Sequence, residues 1–516
     1  MTKTDIIRKY ITPFSLVFAL EIAVVFLTAM GLLPRESVLF VTGILVFFVL
    51  FSEPLDALKM VVASIPLYVA LPVSESFDHM ANWRIIVLVL FLNIFWKRKE
   101  EFIQDFKNFI AKRTIWFYLL GSFAGLSILS VFIASSKTMA LKELAFLINI
   151  FLLFIVALKL ISDKKSLIEI WKSAALGGSM VIFVSIIQFI SVLFVPLSVF
   201  WNFWVNKAIP VFYGGELASL LSYSNTWFAY YAQNPPTLRL FSVFPDSHSL
   251  AMFSVLLVPI YLVLVFLSKR KSAKIIYWAA AVFCLFSIVF SGSRGVWVSV
   301  LPVIILAVLL FWRGFDREFL KKSFAAFFIF IFAFIAYSGY PFFLYKFQSW
   351  QGIGEGAGNF KIALFERAKS ISDFWEISNK GRLEIWRLTF ESIGRRPILG
   401  VGLGNYVDVL REDASVAKKG ASAHSLYLDF ASEIGIFGAL ILLAIFGFIL
   451  YDAWLVFKHS KENYLRLFGL FFALYFIWIL VYSLFDVVLL NDKAFLLFMA
   501  VLGTLYGAKE LTKTNR

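Results

Sequence analysis

The run Leu250-Ala-Met-Phe-Ser-Val-Leu-Leu-Val-Pro-Ile-Tyr-Leu-Val-Leu-Val-Phe-Leu267 carries no charged side chain. About 20 mainly apolar residues in a helix cross the hydrocarbon core of a bilayer, so this run predicts a membrane span. Comparable runs recur along the chain and predict fourteen spans: 14–33, 37–51, 57–73, 84–96, 114–134, 141–161, 173–195, 247–268, 274–290, 296–312, 323–345, 424–451, 464–485 and 494–508. Two of these runs are short, and the predicted fold class is all-α, a polytopic integral membrane protein of roughly 12–14 transmembrane helices.

The composition of the whole chain agrees with this prediction. Of 516 residues, 61% are hydrophobic and 16% are charged, and the mean hydropathy is +0.85. Soluble domains contain about 45–50% apolar and 25% charged residues, so a soluble globule, a disordered chain and a fibrous protein are excluded. The single cysteine, Cys284, rules out an intrachain disulfide. The sequence contains no Cys/His cluster and no Asp-x-Asp motif, so we expect neither a metal ion nor a cofactor.

The net charge of +15 is distributed unevenly along the chain. If the N-terminus is cytoplasmic, basic side chains gather in the cytoplasmic loops at 97–113, 164–172, 269–274, 313–322, 458–466 and 509–516. The short loops on the opposite side contain only Arg35, Arg84, Lys137, Arg294 and Lys493. Every short loop thus satisfies the positive-inside rule, and both termini are predicted to be cytoplasmic. The first apolar run lacks a convincing cleavage site and is interpreted as a retained span.

Two long segments fall on the extracytoplasmic side and divide the chain into five parts: helices at 1–195, an aromatic segment at 196–246, central helices at 247–345, a large loop at 346–423 and C-terminal helices at 424–516. The aromatic segment is typical of an interfacial belt, and it could also form a platform for a lipid tail or a sugar. The large loop lies between the eleventh and twelfth predicted spans. Loops of this length are usually functional or disordered.

Of the four histidines, His424 is the strongest candidate for chemistry. It begins an apolar run at the outer membrane surface, where an imidazole is partly desolvated but still reaches water, as suits a general base near neutral pH. A histidine that merely caps the helix is the alternative. His459 lies among cytoplasmic lysines, and His79 lies in a short outer loop. Glu21, within the first span, is a lone carboxylate to which no role is assigned.

Three arginines on the outer face could bind an anion. Arg294 lies in the short loop Ser291-Gly-Ser-Arg-Gly295, and Arg239 lies just before the span that starts near 247. Guanidinium is the preferred bidentate partner of a diphosphate, although arginine at a membrane surface often only contacts lipid phosphate. Arg382 lies in the large loop, on a predicted amphipathic helix that places Leu383, Trp386, Phe390 and Ile393 at helical spacing and ends before Pro397.

The large loop also contains Gly400-Val-Gly-Leu-Gly404. This pattern is superficially similar to a nucleotide-binding loop, but no strand precedes it and no P-loop lysine follows. A tight turn against the membrane surface is expected instead.

Three segments resemble the O-antigen ligase and polymerase superfamily of bacterial membrane glycosyltransferases. They are Ser291-Gly-Ser-Arg-Gly-Val-Trp297, then Gly381-Arg-Leu-Glu-Ile-Trp386 continuing to 397–405, then His424-Ser-Leu-Tyr-Leu with Glu433-Ile-Gly-Ile-Phe-Gly438. Together they span about 240 to 440, and their order and spacing are more specific than any one of them. The first 200 residues resemble the family only as generic spans.

The resemblance implies a reaction. A glycan carried on undecaprenyl diphosphate would be transferred, on the periplasmic face of the bacterial inner membrane, to a hydroxyl of lipid A-core or of another glycan or protein. His424 matches the family's base, Arg294 and Arg239 match the arginines that hold the diphosphate, and Arg382 joins them as a substrate-binding candidate. The implied mechanism is a direct, metal-independent, inverting displacement without a nucleotide sugar. Membrane lipids are expected partners, and nucleic acid is not.

Other readings stay open at this stage. Within the enzyme class, the sequence does not separate an O-antigen ligase from a polysaccharide chain polymerase or a protein O-oligosaccharyltransferase. In a different class, a transporter or flippase for lipid-linked glycans would use the same arginines without cleaving anything. The long outer loop and the histidine favour the enzyme.

Overall fold

The computed structural model of the protein describes residues 12–74, 78, 80–223, 227–229, 237–312, 317–353, 377–410 and 422–514. His79, Tyr230 and Tyr231 lie outside these ranges, as do 354–376 and 411–421 of the large loop.

Helices dominate the described residues. The N-terminal part contains α1 Pro13–Ala29, α2 Ser37–Phe51, α3 Pro54–Ser64, α4 Trp83–Lys97, α5 Lys99–Lys112, α6 Ile115–Ile133, α7 Lys137–Leu160 and α8 Lys164–Phe194. The aromatic segment contains α9 Leu197–Phe203, a π-helical turn Trp204–Ala208, α10 Ile209–Tyr213, α11 Gly215–Tyr223, and the paired two-residue strands β1 Phe228–Ala229 and β2 Thr237–Leu238.

The C-terminal half is also helical. It contains α12 Ser247–Leu267, α13 Lys271–Phe290, α14 Arg294–Val298, α15 Leu301–Trp312, α16 Arg317–Trp350, α17 Ile377–Arg395, α18 Val407–Leu410, α19 Leu426–Glu433, α20 Gly435–His459, α21 Asn463–Tyr482 and α22 Asp492–Thr514. Two short 3-10 turns, Ile65–Leu67 and Val488–Leu490, complete the set.

Nine of the described helices are long and apolar enough to cross a membrane. Two shorter apolar helices, Pro13–Ala29 and Ser37–Phe51, accompany them, as does the apolar stretch Arg294–Leu309, which contains α14 and most of α15. The predicted fold class, an all-α polytopic membrane protein, is therefore confirmed. Helix α12 lies at the centre, with most of its side chains buried against α8, α13, α21 and α22. Its burial explains why this run is apolar on all sides.

The span predicted at 57–73 is not one helix. Helix α3 ends at Ser64, and a 3-10 turn and extended backbone follow, because Pro66 lacks the N–H that would continue the α-helical hydrogen bonds. Irregular backbone at membrane depth is tolerated only where protein buries it. Here Lys493 Nζ donates to Pro66 O at 2.9 Å, and Val69 N donates to Asn82 Oδ1 at 3.1 Å.

The amphipathic helix predicted in the large loop is present as α17, which ends two residues before Pro397. Its predicted apolar stripe is only partly covered, since Leu383 and Phe390 are exposed while Trp386 and Ile393 are half-buried. The neighbouring face, with Leu388, makes the closer contact with protein.

Candidate functional site

The candidate site is built from chain segments that adjoin helix ends. These segments are 239–248, which leads into α12; the turn 291–294 between α13 and α14; 422–429, which leads into and begins α19; and 483–487, which follows α21. Helix α17 contributes Arg382 from the side. Most of the polar side chains that point here precede or follow an apolar helix, so they reach the end of the bundle without interrupting a span.

Arg239 is held on three sides. Its backbone N–H donates to Trp227 O at 2.8 Å, its Nε donates to Ser291 O at 2.9 Å, and its Nη2 lies 2.8 Å from His248 Nε2. Gly292, with φ +65°, allows the close approach, because a Cβ there would lie 2.5 Å from Tyr337 Oη and 3.1 Å from Arg239 Cγ. The turn before Arg294 thus fixes the guanidinium of Arg239.

The aromatic segment supports the same arginine. Trp227 and Phe241 stack with ring centroids 4.4 Å apart, and both are fully buried. Phe200 and Trp204 pack around Phe241. Such stacked and edge-on ring pairs add stability beyond the area that they bury. These rings hold the backbone on either side of Arg239, a role that the sequence did not indicate.

His248, at the start of α12, connects Arg239 to an acidic residue. Its Nδ1 lies 2.7 Å from Asp486 Oδ2, 3.0 Å from Tyr482 Oη and 3.3 Å from Ser293 Oγ. Tyr482 Oη and Ser293 Oγ are themselves 3.0 Å apart. Arg239, His248 and Asp486 therefore form one continuous polar chain that is largely shielded from solvent.

His424 adopts an unusual backbone conformation, with φ +49°. Both backbone polar groups of the preceding residue are fixed: Ala423 N donates to Asp429 Oδ1 at 2.5 Å, and Trp386 Nε1 donates to Ala423 O at 2.9 Å. Just after it, Leu426 N donates to Ser483 O at 2.9 Å. Helices α17, α19 and α21 thus all help to position the histidine.

Burial is the main reason why the pKa of His424 is low and its imidazole is neutral. Burial lowers the pKa of His424 below the ordinary histidine value, Asp486 opposes the shift, and Arg382 and His248 add to it. Burial would raise the pKa of Asp486, but His248, His424 and Arg382 more than compensate, and its pKa is lowered. The arrangement at neutral pH is an unprotonated His424 beside an ionised Asp486, which suits a general base and its supporting anion.

A second pair of acids lies behind His424. Burial raises the pKa of Asp429 to about 7, opposed by its hydrogen bond from Ala423. Burial also raises the pKa of Glu433, and the charge of Asp429 raises it further. These two carboxyl groups contact backbone N–H groups of Ala423 and Tyr406, so their observed role is to fix the chain near His424.

The structure brings three of the four predicted site residues around Asp486. Arg382 and His424 lower the pKa of Asp486, and Arg239 is linked to it through His248. The fourth, Arg294, is half-buried at the start of α14. Its neighbour Ser293 contacts Tyr482 Oη, and a Cβ on its other neighbour, Gly295, would lie 3.2 Å from Tyr482 and Phe485. Arg294 therefore begins its helix beside the same cluster.

Sequence reasoning missed His248, Asp486, Tyr482 and Ser293. A lone ionisable residue at the edge of a span is a candidate functional residue by default, and that signal was available for Asp486. Its partners could not be found, because they lie on other helices. Among the described residues, no group of three or more His, Cys, Asp and Glu side chains is placed to hold a metal ion.

Gly400, Gly402 and Gly404 all have positive φ and form the expected tight turn. The turn packs against protein, and not against the membrane surface as expected: Val401 N and Gly402 N donate to the carbonyls of Ser432 and Glu433. The three glycines are therefore explained by close contact between backbones and not by nucleotide binding.

Part of the chain is similar to a known protein family. Residues 279–443 match a family model described as O-antigen ligase; this segment contains Arg294, Arg382 and His424, and excludes Arg239, His248 and Asp486. No curated protein matches the chain. The match supports a glycosyltransferase-like role for this multi-pass membrane protein. The resemblance seen in the sequence is thus confirmed for residues 279–443, which are similar to the O-antigen ligase family.

Proposed function

We propose that the protein transfers a glycan from an undecaprenyl-diphosphate carrier to an acceptor hydroxyl, on the extracytoplasmic face of the bacterial inner membrane. The observation that supports this most is the pairing of a half-buried, neutral His424 with an ionised Asp486, where the charge of Arg382 lowers the pKa of both groups. A base beside cationic groups is what displacement of a diphosphate by a hydroxyl requires.

In the proposed reaction, His424 takes the proton of the acceptor hydroxyl as its oxygen attacks the anomeric carbon. A new glycosidic bond forms, the bond from that carbon to the diphosphate oxygen breaks, and the anomeric configuration inverts. Asp486 stabilises the imidazolium that results. Arg239, Arg294 and Arg382 neutralise the charge that develops on the leaving diphosphate, so the reaction needs no metal ion.

The acceptor is proposed to be lipid A-core, as in an O-antigen ligase. Chain polymerisation and protein O-glycosylation use the same donor and the same chemistry, and they are outcomes of an acceptor screen. The different class, a transporter or flippase for lipid-linked glycans, would need the arginines but no base. The test is therefore directed at His424.

We expect His424→Ala and His424→Asn to insert, fold and bind the donor, because the arginines are unchanged. Transfer should fall by about 10²–10⁴-fold, the usual effect of removing a general base. The measurement is release of lipid diphosphate by purified protein in lipid, given undecaprenyl-diphosphate glycan and acceptor. His459→Asn is the matched control and should be fully active, because His459 lies at the C-terminal end of α20 and the site adjoins its N-terminal end.

The pH dependence provides a second readout. A protonated imidazole cannot accept a proton, so activity should fall as pH decreases through the pKa of His424. Because burial lowers that pKa, the acid limb should lie below the ordinary histidine value of about 6.5. Near-parental turnover in both His424 variants would exclude the base and favour the transporter.

A further inference from the structure

His248 contacts two groups that the proposed reaction uses, one with each ring nitrogen. Nε2 faces the guanidinium of Arg239 at 2.8 Å, and Nδ1 faces the carboxylate of Asp486 at 2.7 Å. Arginine has no acceptor and does not deprotonate, so Nε2 must accept its N–H. The ring proton then lies on Nδ1 and is donated to Asp486. The two contacts thus fix the tautomer of His248. They also fix the order of donors and acceptors from Arg239 through His248 to Asp486.

We propose that His248 is a positioning residue that joins the diphosphate-binding arginine to the carboxylate of the base, holding Arg239 through Nε2 and Asp486 through Nδ1. This inference rests on the proposed function, and it assigns two separable roles to a single side chain. The Arg239 side should influence donor binding, and the Asp486 side should influence the proton transfer at His424.

The surroundings make His248 suited to this role. The charged and titratable groups that face it come from separate segments: Arg239 from the loop before α12, Tyr482 from α21, Asp486 from the loop after α21 and His424 from the segment before α19. Arg382, from α17, acts on Asp486 and His424. Asp246, two residues earlier, instead caps α12 through Ser249 N at 2.7 Å. The position of His248 is therefore set by the start of α12.

Two substitutions separate the roles. In His248→Asn the side-chain amide lies near the position of Nδ1, so the donor to Asp486 is kept and the acceptor for Arg239 is lost. In His248→Gln the amide lies near the position of Nε2, so the reverse holds. Both side chains are neutral and carry a donor and an acceptor, which makes them matched controls for each other.

We expect His248→Asn to raise the donor KM, and the dissociation constant of undecaprenyl diphosphate, by roughly 10- to 100-fold, the usual effect of losing a hydrogen bond to a charged group. Its kcat and its pH profile should be those of the parent. His248→Gln should keep the KM and lower the kcat. Its acid limb, which reports the protonation of His424, should move to higher pH, because Asp486 raises the pKa of His424 and would do so more strongly without the hydrogen bond from His248.

The inference is overturned if the two variants change KM and kcat in the same proportion, or if neither differs from the parent. Failure of the proposed function looks different: the parent itself would neither bind undecaprenyl diphosphate nor release it from a glycan donor. His459→Gln, a histidine substitution remote from the site, should be parental in both constants.

Discussion

His424 is held in a backbone conformation that a side chain with a Cβ rarely adopts. A φ of +49° costs about 1–2 kcal/mol for a residue other than glycine. The hydrogen bonds of Ala423 to Asp429 and Trp386 supply the constraint that maintains it. Residues held in such conformations by their surroundings cluster at functional sites, so the strain is consistent with the proposed role of the imidazole.

At the same scale, we predict that Arg294→Lys keeps the positive charge but loses most of the transfer activity. Lysine is a point charge and lacks the planar fork that binds two phosphate oxygens. The measurement is kcat/KM with the lipid-linked donor.

Arg35→Lys is the control for that substitution. Arg35 is another arginine on the same predicted face, and it forms an ion pair with Asp78 at 2.5 Å, away from the site. It should retain parental activity, because lysine keeps the positive charge that pairs with Asp78. Equal activity of Arg294→Lys and Arg35→Lys would make Arg294 a membrane-surface anchor.

At the scale of elements, the turn 400–404 joins the two halves of the chain. Leu403 N donates to Ser130 Oγ in α6 at 3.2 Å, and Ser136 N, at the start of α7, donates to Asn405 Oδ1 at 2.9 Å. On its other side, Val401 N donates to Ser432 O in α19. The turn therefore fixes α19, and with it His424, against the N-terminal helices.

Gly402→Ala tests that joint. The added Cβ would lie 2.5 Å from the Cβ of Ala134, and the residue has φ +101°. We expect a loss of stability of about 1–3 kcal/mol, typical of overpacking, together with reduced transfer. The measurement is thermal unfolding of the purified protein beside the transfer assay.

Gly394→Ala is the matched control, since the same methyl group is added in α17 with nothing within 4 Å of it. There the substitution should be neutral or stabilising by about 0.5–1 kcal/mol, because alanine is the better helix former. If both variants unfolded at the same temperature, the turn would not be a close-packed joint.

Whether the sequence predicts an element depends on whether the residues that determine it are close together in the chain or far apart. A long apolar run, such as that of α12, is enough to predict a helical span, because such a helix makes its backbone hydrogen bonds internally. The end of α3 was missed, because composition does not separate a span from a short buried helix. His248 and Asp486 were missed because their pairing requires α12 and α21 to be neighbours, which no local pattern encodes.

At the scale of the whole molecule, α13 and α21 each begin in a basic loop, at 269–274 and 458–466, and end at the polar network. Helix α13 begins at Lys271, next to Lys269 and Arg270, and ends at Phe290, where the turn that holds Arg239 begins. The same separation holds for α21, which begins near Arg466 and ends at Tyr482 beside Asp486. In both helices the site lies at the end opposite the positive charges, as expected if the basic ends are cytoplasmic.

This direction can be measured by cysteine labelling in a Cys284→Ala background, in which the one buried native thiol is removed. We predict that Lys271→Cys, exposed at the start of α13, reacts with an impermeant maleimide only after cells are permeabilised. Lys137→Cys, exposed at the start of α7 on the predicted outer side, should react in intact cells and serves as the positive control. Because α13 crosses the membrane once, labelling of Lys271→Cys from outside would place the turn 291–294 in the cytoplasm. Arg239 and Asp486 would lie there with it, and the proposed extracytoplasmic transfer would be excluded.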